Sequence, residues 1–553
     1  MNPLQPRTLP TVYRPSPTGP PCDLWLDGRA GLAWPPETAT PPSAERYPDA
    51  GPLESDLARR WGLPTDQVLV TAGADEALDR ACRAFLTADR RAVLTDPTFV
   101  MLPRYVALSG AELVQVPWPD GSFPAAAMAE ALDGRRGLLV AVTPSNPTGL
   151  VATSAQLREL AMRCPQALLV VDLAYVEFAD RDPTGDLLGL PNVLVVRTLS
   201  KAWGLAGARI GYAMGPADVV AALRQAGGPY PTGAAGLAVA RERLRTGGAE
   251  LAGRIARSGR ERARLGWLLA TTGLSPLPSQ ANFLLARGPR APWLADALGG
   301  LGIAVRRFGP DATRISLPAA AGPFARLWSG CRAALQPQAL LLDIDGVVAD
   351  VRDSYRQAIR LTAAAFGHPV SAAEVAAAKA QPDSNNDWHV THRLLEAAGC
   401  QVPLARVTAR FEQLVQDEEL WRRERLIGGR ARLADLAGRL PLVAVTGRPR
   451  RDLERFLATT DLDGLFAATV CLEDAPAKPS PAPVRLALAR VGARRAWLVG
   501  DTPDDLAAAR AAGVVALGIV APGDPVDTTR ERLTQAGAAR VLASLDDLEE
   551  ILP

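Results

Sequence analysis

The sequence predicts an α/β protein of two large domains, and three observations predict it. Short apolar, β-branched runs alternate with helical patterns, the series breaks and restarts near residue 338, and 553 residues exceed what one hydrophobic core organises. In order, the first series is "QVLVT" (67–71), "RAVLTD" (91–96), "GLLVAVTP" (137–144), "ALLVVDLAY" (167–175) and "NVLVVRT" (192–198). Runs apolar on both faces predict a mainly parallel sheet covered by helices. The Arg/Ala/Leu-rich stretch 235–272 has helical period, and "ANFLLAR" and "ATRISLP" after it suit a smaller α+β subdomain. The second series runs "QALLLDIDG" (338–346), "LPLVAVTG" (440–447), "ATVCLED" (468–474), "AWLVGD" (496–501) and "VVALGIV" (514–520). The roughly hundred residues of helical pattern between its first two strands are too many for a loop and read as an inserted helical cap, about 352–430. The boundary is placed in "RAALQPQ" (332–338), giving domains 1–335 and 336–553.

Composition narrows the class. Hydrophobic residues make up 48% and charged residues 22%, as in a soluble globular protein, and the net charge of +2 argues against nucleic acid or an anionic membrane as partner. Small-molecule substrates are the expected partners. The six cysteines show no CxxC spacing, no apolar run is long enough for a membrane span, and the proline-rich residues 1–21 read as an extended arm. A cytoplasmic enzyme is the expectation.

Lysine usage then singles out positions. Lys and Arg together number 61, yet only Lys201, Lys379 and Lys478 are lysine. Arginine supplies charge equally well but cannot lose its proton to attack a carbonyl, so a Schiff base requires lysine. All three histidines, His368, His389 and His392, lie in the second half, so acid–base work in the first half must proceed without them.

Around Lys201 the motifs "RYPD" (46–49), "TAGADEAL" (71–78), "DPTF" (96–99), "NPTG" (146–149), "VDLAYVEF" (171–178), "RTLSKAWGLAGARIGYA" (197–213), "SQANF" (279–283) and "ATRI" (312–315) follow one another. In that order they resemble the fold-type I, pyridoxal-phosphate-dependent aminotransferases, most closely the histidinol-phosphate aminotransferase branch. The resemblance implies a large α/β domain with a small α+β subdomain, and pyridoxal 5'-phosphate as cofactor. It makes Lys201 the Schiff-base lysine and proton carrier, and Asp172 the partner of the ring nitrogen. Asn146 and Tyr175 would bond the ring oxygen, and Phe99, with Tyr105 as alternative, would stack on the ring. Ala74, Asp75, Thr198, Ser200 and Arg209 would hold the phosphate, Ala74 and Asp75 through amides opening a helix. Tyr47 would reach the cofactor of a neighbouring subunit, implying a homodimer. Arg306 and Arg314 match positions that grip the substrate's anionic end, where a guanidinium pairs bidentately.

The substrate pocket departs from the family pattern. "LDGRAGLAWPP" (26–36) replaces an Asn-Glu-Asn-Pro segment, "PYPTG" (229–233) stands where an asparagine is usual, and Pro318 where glycine is common. A phosphothreonine decarboxylase on the same scaffold is therefore a second reading.

"LLLDIDGVVAD" (340–350), Thr446 in "VAVTGRPR", Lys478 in "AKPSPAPV" and "VGDTPDDLAAA" (499–509) resemble, in order, the four motifs of the haloacid dehalogenase superfamily. This implies a Rossmann-like α/β domain with a phosphoryl-accepting nucleophile, Asp343, and a general acid/base, Asp345. Thr446 and Lys478 would hold the phosphoryl group, and Asp343, Asp345, Asp501 and Asp505 would gather around Mg2+. In the cap, Lys379, Asn385, Asn386, Asp387 and Trp388 are read either as substrate entrance or as a helix N-cap. Together the motifs predict a bifunctional enzyme that exchanges an amino group between a phosphorylated amine and 2-oxoglutarate or glutamate and cleaves a phosphomonoester. The alternative leaves the second domain as a non-catalytic module.

Overall fold

The computed structural model describes residues 22–26, 47–379, 381 and 386–552. The N-terminal arm, residues 27–36 of the departing segment and Asn385 lie outside the described residues. Contacts divide the chain into two compact units. The first gathers residues 25–289 and 306–324, and the second takes 290–305 and everything from 325 onward. Among the described residues no helix is long and apolar enough to cross a membrane.

The first unit is built on a seven-stranded sheet. Its order is Val68–Thr71, Gly211–Met214, Val193–Thr198, Ala167–Asp172, Gly137–Val142, Arg91–Asp96 and Glu112–Pro117. All strands run parallel except Gly211–Met214, which is antiparallel to both neighbours. The three central strands are buried along their whole length, as their unbroken apolar runs require. The five expected strands are present, and two more complete the sheet. Glu112–Pro117 is a half-exposed edge strand whose apolar residues are interrupted by Gln115. Gly211–Met214 is only four residues long, too short a run to signal itself. A Cβ at Gly211 would lie 2.4 Å from the Gly73 carbonyl carbon and 2.5 Å from the Ala74 nitrogen, so only glycine lets this strand pass the turn that opens the helix Ala74–Phe85. A four-stranded antiparallel sheet, Arg306–Phe308, Ala312–Ser316, Phe283–Arg287 and Ser275–Pro276, forms the expected α+β part.

The second unit carries a six-stranded, wholly parallel sheet. Its order is Ala468–Val470, Leu442–Val445, Leu340–Leu342, Trp497–Gly500, Val515–Ile519 and Arg540–Leu542. Chain order reverses on either side of Leu340–Leu342, and the carboxyl end of such a strand is where an open α/β sheet forms its crevice. The insert is helical as expected: Tyr355–Ala365, Ala372–Lys379, Asp387–Ala397 and Leu404–Asp417. It leaves and rejoins the sheet through a two-residue antiparallel ladder, Ala349–Asp350 against Arg425–Leu426.

The helix Ala291–Gly300 belongs to this second unit because of its tryptophan. Trp293 meets Trp497 edge-on with ring centroids 4.8 Å apart, both are fully buried, and their indole N–H groups donate to the Ala334 and Ala333 carbonyls at 2.9 and 2.8 Å. Trp497→Ala is expected to cost about 3–5 kcal/mol. Calorimetry of the full chain should show the second unit's transition moving to lower temperature, and an unmoved transition would contradict a core role for the pair.

Candidate active sites

In the first unit the buried strands end in side chains that converge. Asp172 terminates the strand Ala167–Asp172, Thr198 the strand Val193–Thr198, and Ser200 and Lys201 follow in the next turn. They line a cavity of about 390 Å3 with Ala74, Asp75, Phe99, Tyr105, Asn146, Tyr175 and Arg209. Every cofactor residue expected from the sequence is in this lining except Tyr47, and the two candidates for the ring face, Phe99 and Tyr105, are both there.

The electrostatics follow from burial. Asp172 is 3% exposed and its carboxylate accepts a hydrogen bond from the Ala174 amide at 3.1 Å. Loss of hydration pushes its pKa up to about 7; the Ala174 bond and the Lys201 charge oppose this, and the Asp75 carboxylate adds to it. Lys201 Nζ stands 5.4 Å from the centre of the Tyr175 ring. At the other end, the helix Ala74–Phe85 begins at Gly73 with φ +81° and no side-chain cap, so its first amides are available to an anion. Arg209, itself at φ +54°, lies across that turn, donating to the Ala72 carbonyl at 3.2 Å and to Asp75 at 3.1 Å. A Cβ at Gly73 would come within 2.6 Å of the Arg209 guanidinium. Thr198 Oγ1 accepts from the Ser200 amide at 3.1 Å and lies 3.0 Å from its hydroxyl.

A phosphate pocket at one end and a buried carboxylate that needs a cationic partner at the other fit pyridoxal phosphate. Ala74, Asp75, Thr198, Ser200 and Arg209 would hold its phosphate, Asp172 its ring nitrogen and Lys201 its carbonyl carbon.

Arg306 and Arg314 do not line the cavity. They face each other across adjacent strands. Arg314 is buried between Phe283 and Phe308, 5.0 and 5.4 Å from their ring centres, and donates to Asn146 Oδ1. It thus reaches the cavity through Asn146, whereas Arg306 lies over Phe308. Tyr47 is 79% exposed and stacks on Tyr230 at 4.5 Å, away from its own chain's cavity.

In the second unit Asp343 follows the central strand Leu340–Leu342, Thr446 the strand Leu442–Val445 and Asp501 the strand Trp497–Gly500. Lys478 Nζ lies 3.0 Å from Asp343 Oδ1, against Asp505 Oδ1, and donates to the Val445 carbonyl at 3.0 Å. Asp343, Asp501 and Asp505 each offer a carboxylate oxygen within 4.8 Å of the others, all buried. Burial raises the pKa of Asp343, with Lys478 pulling it down and Asp505 and Asp345 pushing it up; Asp501 is raised by burial and by its two carboxylate neighbours. Three carboxylates with one ammonium suit a hard divalent cation, so Mg2+ fits the donor set. Asp505 divides its work, since its second oxygen accepts from Thr502 at 2.6 Å in a capping box. Gly346 at φ +79° makes room: a Cβ there would lie 2.3 Å from Asp501 Oδ2.

Asp345 stands apart from that carboxylate cluster. Its oxygen accepts from Arg448 Nε at 2.6 Å, because the guanidinium attracts it out of the group of like charges. Arg448 was not singled out by the sequence, although it lies two residues after Thr446 in a quoted motif; among 58 arginines nothing in its type marks it. Lys379 donates to Asp387 at 2.8 Å. Burial opposes its charge, but Asp387, then Asp501 and Asp345, more than offset this. Asn386, Asp387 and Trp388 share a small pocket of about 30 Å3 with Asp345, Tyr355 and Arg448. Asn386 also caps its helix, accepting from the Trp388 and His389 amides at 3.0 and 3.2 Å, as the N-cap reading expects.

The sign of the Asp172 shift gives a prediction. Between the ordinary carboxylate value of 3.8 and about 7, the native state holds a proton that the unfolded chain has released. Stability of the cofactor-free first unit should therefore fall as pH rises across that window, by up to ~4 kcal/mol from this group. Asp172→Asn should flatten the slope in pH-resolved thermal unfolding; an unchanged slope would contradict the assignment.

Comparison with known proteins agrees with both geometries. Residues 37–324 match the aminotransferase class I and II family, and residues 337–513 match haloacid dehalogenase-like hydrolases. Histidinol-phosphate aminotransferase of Xanthomonas axonopodis pv. citri is 39% identical over 53% of this chain and 86% of its own length. Aromatic amino acid aminotransferase of Mycobacteroides abscessus is 36% identical over 51% and 85%. An imidazoleglycerol-phosphate dehydratase of Phytophthora nicotianae is 42% identical over 39% of the chain, which spans about half (52%) of that relative. The crystal structure of Sinorhizobium meliloti histidinol-phosphate aminotransferase in complex with pyridoxal-5'-phosphate is similar, with a TM-score of 0.50 and 26% identity over 57% of this chain and 92% of that one. The chain belongs to the aminotransferase class I and II family and carries, after it, a haloacid dehalogenase-like hydrolase domain.

Proposed function

We propose that the protein is a bifunctional enzyme acting on phosphorylated amino compounds. The first unit exchanges the amino group with 2-oxoglutarate or glutamate, and the second hydrolyses a phosphomonoester with Mg2+. The observation that carries the reading is the convergence of Lys201, Asp172, Asn146 and Tyr175 on one cavity with an uncapped helix end and Arg209 at its far side. The similarity to histidinol-phosphate aminotransferases supports a histidinol phosphate-like amine as donor.

Bound pyridoxal phosphate supplies an electron sink for the pair left when the substrate's Cα proton departs. The chain's residues do the rest. Lys201 Nζ takes that proton and returns it on the other side of the exchange. Asp172 keeps the ring nitrogen protonated, and Arg314 steers the substrate's anionic end beside Asn146. A second copy of the chain, reached by the exposed Tyr47, would complete the phosphate pocket as a homodimer.

In the second unit Asp343 attacks phosphorus, Asp345 protonates the leaving oxygen, and a phosphoryl-aspartate forms that water then hydrolyses. Lys478 and Thr446 hold the phosphoryl oxygens. Asp343 and Asp501, with Asp505 in support, would hold Mg2+, which would supply charge neutralisation in the transfer. The double ion pair of Lys478 on Asp343 and Asp505 supports a working site over a non-catalytic module.

The test is a screen of phosphorylated amines, scored for oxo product and for phosphate. Lys201→Ala should abolish amino transfer and spare phosphate release, and Asp343→Asn the reverse. Transfer that survives Lys201→Ala, or equal phosphate release by Asp343→Asn and the parent, would refute the corresponding half. Carbon dioxide evolved from phosphothreonine would favour the lyase instead.

A further inference from the structure

Arg448 is a buried side chain of the second unit to which the catalytic motifs assign no role. It is 3% exposed. Its guanidinium lies between two rings, 4.9 Å from the centre of Tyr355 and 5.1 Å from that of Phe456. Nη1 donates to Glu424 Oε2 at 2.8 Å, and Nε to Asp345 Oδ1 at 2.6 Å. Its own amide donates to the Thr446 hydroxyl at 3.1 Å, which ties it to the phosphoryl-binding turn.

These partners come from separate parts of the fold. Tyr355 opens the first cap helix. Glu424 is the last residue before the return strand Arg425–Leu426 of the ladder that joins cap and sheet. Phe456 belongs to the helix Arg450–Thr459 of the sheet domain. Among the described residues, Arg448 is the sole hydrogen-bond partner of the Asp345 carboxylate. The rigid fork of a guanidinium sets direction as well as distance. The orientation of Asp345 is thus fixed by a group that both cap attachments hold in place.

We propose that Arg448 is the positioning residue for Asp345, holding its carboxylate where it takes the proton of the hydrolytic water, and that it does so from a place braced by Tyr355 and Glu424 at the two cap attachments. The inference rests on the phosphatase reading above. In the step concerned, the water oxygen bonds to phosphorus as the bond between phosphorus and Asp343 Oδ breaks. The Asp343 carboxylate leaves with the electron pair, the water proton passes to Asp345, and phosphate departs.

An aryl phosphate with a good leaving group separates this role from packing, because transfer to Asp343 then needs no acid. The full chain with Mg2+ and p-nitrophenyl phosphate is the system. Arg448→Lys should lower kcat by ~100-fold, the scale of a lost proton-transfer group. It should leave kcat/KM within a few-fold, and a phosphoryl group should accumulate on the protein by intact mass, as in Asp345→Asn. If that variant does not fold, Arg448→Met combined with Glu424→Gln removes both buried charges and should give the same split. A parallel fall of kcat and kcat/KM with no trapped phosphoryl group, or an unchanged kcat, overturns the role of Arg448. Equal phosphate release by the parent and Asp343→Asn would instead remove the phosphatase reading itself, and this inference with it.

Discussion

A strand buried on both faces delivers its last side chain to a place that water hardly reaches, and both sites are built from that constraint. Asp172 ends one such strand, and Asp343 and Asp501 follow two others; each is at most 6% exposed. Desolvation is the first cause of the raised pKa of all three. Each carboxylate therefore calls for a cationic partner. The two units answer differently, one with an open cavity sized for a ring and the other with a fixed ammonium and a cluster of oxygens.

Lysine and arginine divide these tasks by geometry. Lys478 touches two carboxylates and a carbonyl from one compact centre, which three donors on a single nitrogen permit and a planar fork does not. Lys379 likewise meets Asp387 head-on. Arg448 does the opposite: two edges of its plane serve Asp345 and Glu424 while its faces lie on rings. In a chain with 58 arginines, the three lysines stand at a cavity lining and on carboxylates: Lys201 in the first unit's cavity, Lys478 on Asp343 and Asp505, and Lys379 on Asp387.

What was legible in the sequence was whatever acts through local pattern. Continuous apolar runs named ten of the sheet strands, and motif residues fell into their cavities because each sits within a residue or two of a strand end. What depends on distant partners was not legible. The strand Gly211–Met214 is defined by its fit against Gly73 and Ala74, some 137 residues away. Arg448 acquires meaning only from Asp345, Glu424 and Tyr355, which the fold assembles from three segments. Asp345, expected in the metal cluster from the resemblance to the haloacid dehalogenase motifs, is held outside it by that same arginine. The boundary near 335 follows the chain, whereas the unit that claims Trp293 follows packing.

The cap is tied to the sheet at more than one level. The backbone joins them through a ladder of only two residue pairs, Ala349 with Leu426 and Asp350 with Arg425. Beside that ladder, Arg448 adds a side-chain tie: Glu424, just before the return strand, accepts from its Nη1, and Tyr355, opening the first cap helix, lies on its face. The same guanidinium donates to Asp345, and Asn386, Asp387 and Trp388 of the cap share a pocket with that carboxylate. Asp345 is therefore oriented by a side chain whose own place depends on both attachments of the cap, so on the proposed phosphatase reading the seating of the cap and the direction of the acid–base residue are coupled through one buried guanidinium.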